Sequence, residues 1–568
     1  MARIAIDPIT RIEGHLRIEI EVEGGKVTDA WSSSTMFRGI ETILKGRDPR
    51  EAWLFTQRFC GVCTTVHALA SVRAVEDALG IQVPDNARIL RNLIAATQYI
   101  HDHVVHFYHL HALDWVDIVS SLDADPAKTS ELAQSISDWS KSSTDYFKGV
   151  QERLKSFVDS GQLGPFTNAY WGHSAYQLPP EANLMAVAHY LEALDWQREY
   201  AQIHALLGGK NPHLQTYLVG GMSTPVDPNS QHALNADAIA RMQQWQQSAV
   251  EFVKQVYLPD VLAVAPFYLD WAGIGSGGGN FLSYGDFASA DGENYFPAGV
   301  ILDGDLSTVH PVNQEDITEY ATHSWYSYED DSRGLHPWDG QTRPNYTGPQ
   351  PPYDFLNTDE KYTWLKAPRL DDEPMEVGPL ARMLVGYASG HQGIQDTVDM
   401  VLNELDAGAE ALFSTLGRTA ARCIETVLLV DKTYEWIDEL AGNMKDGNLE
   451  IHAGDKWDPE TRPPDAKGYG RPGAPRGALG HWIHIKDKEI HNYQAVVPST
   501  WNASPRAAGE KMGPFEASLI GTPIADPEKP LEVLRTIHSF DPCMACGVHV
   551  VNADGDEVTR VEVQGVGH

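Results

Sequence analysis

From Leu16 the chain alternates: Leu16, Ile18, Ile20 and Val22 fall on one side of an extended segment, with Arg17, Glu19 and Glu21 between them. A period of two marks a half-buried strand. Gly24–Gly25 then turns the chain into a second strand over Lys26–Trp31. From Asp85 to about Leu113 the period lengthens. Ile89, Leu93, Ala96, Ile100, Val104 and Phe107 recur at three- and four-residue steps, which predicts a long amphipathic helix with Asp85, just after Pro84, as its cap. A second long helix follows Pro179–Pro180, with Leu184, Val187, Leu191 and Leu194 on its stripe, and a third carries Leu416, Ala420, Cys423, Val427 and Val430. Cys423 on that apolar face reads as core, since a free cysteine behaves as a small hydrophobe. Strand alternation returns over His481–Val497, with Lys486-Asp-Lys-Glu489 as the turn. The stretch from about 326 to 378, rich in Pro, Gly, Asp and Tyr, reads as ordered surface loop. These elements predict an α+β protein: a mainly helical core, a bundle of long helices, with small peripheral β elements in the N- and C-terminal parts.

Composition narrows the function more than the fold. A formal charge of -35 repels phosphate backbones and argues against nucleic acid as a partner. The opening MARIAIDPITRIEGH is charged and has no apolar signal core, and no uncharged apolar run approaches the ~20 residues of a membrane span. Gly273-Ile-Gly-Ser-Gly-Gly278 matches a dinucleotide fingerprint in letters only, because Gly279–Asn280 rather than a helix follows it.

Candidate chemistry enters with the cysteines. There are 5 in 568 residues, and four of them form two CxxC pairs near opposite ends, Cys60–Cys63 and Cys543–Cys546. Thiols this scarce, at ligand spacing, imply one four-thiolate metal site made by closing the chain on itself, which also argues for one core. Thiolates select zinc, iron in clusters, copper(I) or nickel. Zinc ribbons place the second pair roughly 15–20 residues after the first, whereas here most of the protein intervenes. Spacing alone leaves a structural zinc or disulfide clamp open beside a buried reactive metal centre. Asp541–Pro542 reads as an N-cap and first turn that would set Cys543 and Cys546 on one helical face. A helix through Thr64–Leu79 would begin beside Cys63 and carry His67 one turn on. Thiols at helix N-termini have depressed pKa values.

The segments Arg58-Phe-Cys60-Gly-Val-Cys63-Thr-Thr-Val-His67 and Asp541-Pro-Cys543-Met-Ala-Cys546-Gly-Val-His549 closely resemble the paired signatures of nickel–iron hydrogenase large subunits. Arg11-Ile-Glu13-Gly-His15, Arg38-Gly-Ile-Glu41, Gly378-Pro-Leu-Ala-Arg382 and Ala474-Pro-Arg476-Gly-Ala-Leu-Gly-His481 are similar to further motifs of that family. The resemblance runs in order along essentially the whole chain and best matches the uptake-type heterodimeric group.

The resemblance implies heterolytic cleavage of dihydrogen at a nickel–iron centre whose iron carries carbon monoxide and cyanide. Cys60 and Cys543 would be terminal nickel ligands, and Cys63 and Cys546 would bridge to iron. A cysteine at 543 excludes the family's selenocysteine variant. Cys543 would accept the proton, with Arg476 as electrostatic organiser because arginine stays protonated. Asp102 and Asp541 would hold that arginine, and for Asp541 this role can coexist with that of a helix cap. Glu13 would relay the proton, although read alone it suggests a salt-bridge partner. His67 would line the centre, and Pro498 and Ser499 would contact the iron's diatomic ligands. Glu41 and His549, with a main-chain carbonyl near Ala495, would bind Mg2+ or Fe2+. The histidines of 101–111 read as packed or hydrogen-bonded rather than as ligands.

With only Cys423 left over, this chain cannot hold an iron–sulfur cluster. The resemblance implies an iron–sulfur small subunit as partner, with a membrane cytochrome or quinone-linked acceptor beyond it. That partner would carry the export signal to the periplasmic face of the inner membrane, the cytoplasm being the alternative location. Residues 1–549 would form a single domain, and 550–568 would be an extension removed by a maturation protease after nickel insertion. A hydrogen sensor of the same fold is the alternative function, against which the extension argues, and a zinc-clamped scaffold is a third reading.

Overall fold

Two small antiparallel sheets flank a bundle of long helices in the computed structural model, which describes residues 2–161, 164–167, 169–349 and 355–547, the side chains of Pro165 and Cys546 excepted. The first sheet is ordered β1 (Ala2–Ile6), β2 (Leu16–Glu23) and β3 (Lys26–Ser34). Leu16, Ile18 and Ile20 are buried as the alternation predicts, and Gly24 and Gly25 make the turn with positive φ.

The helices that build the core are α1 (Val66–Leu79), α2 (Asp85–Val105), α3 (Pro180–Tyr200), α4 (Ala236–Phe252) and α5 (Thr415–Lys445), and α6 (Leu531–Ser539) leads toward the second cysteine pair. α5 packs along both α2 and α4, and Cys423 is buried on it, as expected. The second sheet, β4 (Asp465–Gly470), β5 (Gly480–Lys486) and β6 (Glu489–Val496), runs in that order. It lies directly on α1. A Cβ at Gly468 would sit 2.3 Å from Ala78 N, and one at Gly470 2.1 Å from Ala70 O. Only glycine permits that approach, which fixes the helix following Cys63 against the sheet whose strands flank Arg476 in sequence.

Four expectations change. Pro84 occupies the cap position of α2, and Asp85 is its first residue, where its carboxylate instead accepts from Arg88 at 2.7 Å. The helical path does continue toward Leu113, but as a π-turn (His106–His111) and a 3-10 turn (Ala112–Asp114). Leu194 on α3 is 38% exposed, because Ala193 and Trp196 turn inward there instead. Finally, the 326–378 stretch is exposed loop only in part, over most of 329–349 and 355–360. Ala367–Leu370 pairs antiparallel with Ile317–Tyr320, and Tyr326, Tyr362 and Leu365 are buried. Its aromatic rings fill space, as where Trp364 stacks on Phe37 at 4.8 Å. The α+β reading holds. No helix among the described residues is long and apolar enough to cross a membrane.

Candidate metal centre

The two ends of the chain meet at three sulfurs. Cys60 Sγ lies 3.2 Å from Cys543 Sγ, and Cys63 Sγ lies 3.8 Å from it. All three cysteines are buried. The side chain of Cys546, and His549 with the tail after it, lie outside the described residues.

The N-terminal arm takes its shape from a tight turn ahead of α1. The Val62 and Cys63 N–H groups donate to Cys60 Sγ at 3.2 and 3.1 Å. α1 begins at Val66 with Thr65 in the cap position, two residues later than predicted. Gln98 on α2 braces this turn: its Oε1 accepts from Thr64 N–H at 3.1 Å, and its Nε2 donates to Val62 O at 3.0 Å and to Asp102 Oδ1 at 2.5 Å.

The C-terminal arm is built differently from the expectation. Asp541 has φ 58 and follows the end of α6, its N–H donating to His538 O at 2.9 Å. It closes the preceding helix in a left-handed conformation instead of capping a new one, and only a 3-10 turn, Met544–Gly547, follows. Cys543 forms a parallel bridge with Glu13. Met544 N–H donates to Glu13 O at 2.8 Å, and Ala545 N–H donates to Glu13 Oε2 at 2.9 Å. A Cβ on Gly14 would stand 2.6 Å from Ala545 N, so glycine is required beside Glu13 for this closeness. Cys543 N–H donates to Ser499 Oγ at 3.0 Å. Arg38 fastens the two arms together through Phe59 O and, at 2.6 Å, Ala545 O.

A small cavity opens against the sulfurs, walled by Cys63, His67, Arg476, Pro498, Ser499 and Cys543 among others. Arg476 reaches it with its guanidinium clamped from two sides, by Asp102 Oδ2 at 2.9 Å and Asp541 Oδ1 at 3.1 Å. Its backbone is held too: Arg382 donates to Ala474 O at 2.9 Å and Pro475 O at 3.0 Å, while pairing with Glu425 on α5. Burial alone would lower the pKa of Arg476, but Asp541 and the neighbouring thiolate hold it well above the ordinary value, so the cation is permanent. Burial pushes Asp541 up against the pull of Arg476. Glu13 Oε2 stands 3.3 Å from Cys543 Sγ. Burial, and then the charge at Cys60, raise its pKa to about 7, which suits a group that takes up and releases protons near neutrality. Burial lowers His67 to about 4, so its ring is neutral, with Nδ1 3.1 Å from His481 Nε2.

Glu41 is buried apart from this cavity. Its Oε1 accepts from Ala495 N–H at 3.0 Å, Thr342 donates to Oε2, and Lys366 Nζ lies 3.8 Å away. The same lysine lies 3.6 Å from Glu319, whose pKa burial raises to about 7. The histidines between 101 and 111 have hydrogen-bond partners: His103 meets Glu425 at 2.8 Å, His106 meets His538 O at 2.6 Å, and His109 meets Tyr190 O at 3.1 Å. Sequence reasoning missed Gln98, Arg38 as a clasp, Arg382 as a brace, and Asp114. Arg38 and Arg382 stand in motifs quoted above with no role assigned to them, and Gln98 left a signal by lying one helical turn before Asp102.

The donor chemistry fits nickel and iron. Three sulfurs converge beside a cavity with a fixed cation, and thiolates suit these metals. A family model described as nickel-dependent hydrogenase matches residues 38–549, and one described as HoxL-like matches 3–33. The chain belongs to the nickel-dependent hydrogenase family, as a large subunit. It is 54% identical to the uptake hydrogenase large subunit of Bradyrhizobium diazoefficiens over 99% of this chain and 97% of that one. To the hydrogenase-1 large chain of Escherichia coli it is 49% identical at the same coverage. The solved Ni-Fe-Se hydrogenase from Desulfovibrio vulgaris Hildenborough, in its as-isolated oxidised state, superposes with a TM-score of 0.76 at 34% identity, over 96% of this chain and 100% of that chain. The protein is thus an oxidoreductase chain, the catalytic subunit of a hydrogenase.

Proposed function

We propose that Cys60, Cys63, Cys543 and Cys546 hold one nickel–iron centre, with carbon monoxide and cyanide on the iron, and that the chain oxidises dihydrogen there. The observation that carries the site is the convergence of Cys60, Cys63 and Cys543 from opposite ends of the sequence beside the Arg476 cavity. When bound, the metals supply the Lewis acidity that polarises dihydrogen.

The chain's own residues do the rest. Cys543 accepts the proton at Sγ, and Glu13 takes it onward from 3.3 Å. Arg476, kept charged and immobile by Asp102 and Asp541, stabilises negative charge over the centre without itself exchanging a proton. Pro498, Ser499 and neutral His67 line the cavity, and the first two would contact the iron's diatomic ligands. Glu41 and His549 are our reading of a second site, for Mg2+ or Fe2+. Glu41 and Glu319 lie 3.8 and 3.6 Å from Lys366, and carboxylate oxygens are the donors that a hard divalent ion takes.

Electrons leave through an iron–sulfur small subunit, since Cys423 alone remains here. We place the pair at the periplasmic face of the inner membrane, delivering to a membrane cytochrome or quinone-linked acceptor. Residues 1–549 are the mature domain, and 550–568 are cut away by a maturation protease. Infrared spectroscopy of the purified heterodimer tests the central proposal. Bands in the carbonyl and cyanide stretching region, with nickel and iron in equal amounts, are expected. Active protein containing zinc and no nickel contradicts it.

A further inference from the structure

Behind the metal cavity lies a second buried charge cluster. His111, Asp114 and His538 bring ligand atoms within 4.8 Å of one another, a spacing that suggests a metal. Their other contacts argue against one. Trp115 Nε1–H donates to His111 Nε2 at 3.0 Å, so the His111 proton resides on Nδ1, which faces Asp114 Oδ2 at 3.2 Å. His538 Nδ1 approaches the same oxygen at 2.6 Å, while its Nε2 lies 2.8 Å from Thr10 O. Each nitrogen of the His538 ring thus faces an oxygen of another segment. Arg11 takes the other carboxylate oxygen, Oδ1, and donates to Leu110 O at 2.6 Å. The carboxylate is saturated with donors. It is a clasp, not a vacant ligand set.

The clasp sits where it can set the register of the site. Arg11 is two residues ahead of Glu13 and adopts a positive φ of 55, a left-handed conformation that needs outside support. His538 is in the last turn of α6 and five residues ahead of Cys543. These two segments run on side by side and pair through the Glu13–Cys543 bridge. Asp114 itself is swung inward by the π-turn and 3-10 turn at the end of α2, and its main-chain carbonyl accepts from Arg535 of α6 at 2.8 Å.

We infer that Asp114 is a positioning residue for the hydrogenase reaction: by clasping Arg11 and His538 it fixes the pairing that holds the Glu13 carboxylate against the Cys543 sulfur. The inference rests on the reading of Glu13 as the group that takes the proton from Cys543. Groups that orient a site through another residue contribute about 10–100-fold to its function.

The test compares Asp114→Asn with wild type in the intact heterodimer. Asn keeps the shape and can still accept from Arg11, but it removes the charge that draws both segments together. Nickel and iron content should stay at the wild-type level, kcat should fall about tenfold or more, and KM for dihydrogen should stay within twofold. The infrared C=O stretch of the protonated Glu13 carboxyl, identified by its loss in Glu13→Gln, should shift. A merely structural role would not move that band in metal-replete protein. An unshifted band with kcat within twofold of wild type overturns the inference. If Asp114→Asn does not accumulate, Arg11→Lys and His538→Gln carry the same readouts, and two unshifted bands overturn it equally. Failure of the Glu13 reading looks different: Glu13→Gln itself would then leave proton exchange unchanged.

Discussion

The two arms that meet at the sulfurs are held in opposite ways. Around Cys60 and Cys63 the contacts are short in sequence: N–H groups of the same turn donate to Cys60 Sγ, and the Gln98 brace is 34 positions from Thr64. From farther away His213 meets Cys60 O at 2.8 Å, and Cys543 approaches both sulfurs. Around Cys543 the described side-chain hydrogen bonds come from farther along the chain. Ser499 stands 44 positions away and Glu13 stands 530 away. Local contacts form early and at low entropic cost, whereas distant ones wait for the rest of the chain. The N-terminal arm can therefore take shape with α1 and α2, while the C-terminal arm is fixed last. A site that closes from one side last admits its metals before closure, which gives the proposed removal of 550–568 a physical logic.

Removing a thiolate from the late arm breaks this comparison most severely. Cys543→Ala takes away a ligand and the partner of Glu13 together, and should abolish both nickel retention and turnover, read by metal analysis and hydrogen oxidation with an artificial acceptor. Arg476→Lys comes next. Lysine keeps the charge but cannot span Asp102 and Asp541 with one planar fork, so turnover should drop by about 10²–10³-fold with metal content intact. Wild-type rates would show that charge alone suffices.

Glu13→Gln should follow with a loss of about 10²-fold or more in hydrogen–deuterium exchange. Gln retains the hydrogen bond from Ala545 but takes up no proton, so metal content should not change. The smallest effect belongs to the early arm. Gln98→Leu leaves Val62 O and Thr64 N–H without their brace and should cost about 1–3 kcal/mol of stability by thermal unfolding. Metal retention should survive, because the remaining contacts of that arm are local. If this variant instead loses its metals as Cys543→Ala does, the asymmetry between the arms is wrong.

What the sequence made legible follows the same division. The strand alternation of Leu16–Val22, the long helices and the 481–497 hairpin are local patterns, and periodicity exposes such patterns directly. The pairing of the cysteines was legible because thiols are scarce and their spacing is chemical. The conformation at Asp541 was not. Asp-Pro before a cysteine pair carries the letters of a helix start, but the backbone there answers to Glu13, a partner no local window contains. The 326–378 stretch misled in part for a related reason: Pro, Gly and Asp signal turns, yet rings such as Tyr326 and Tyr362 are buried by elements remote in sequence. Asp114 stayed invisible because its role exists only once three segments are brought together.

The central claim is that sulfur from both arms surrounds one nickel. X-ray absorption at the nickel edge of the purified, active heterodimer counts those sulfurs directly. Four sulfur neighbours are expected, contributed by Cys60, Cys63, Cys543 and Cys546. A nickel shell made mainly of nitrogen and oxygen, or one with sulfur from a single pair, would contradict the account.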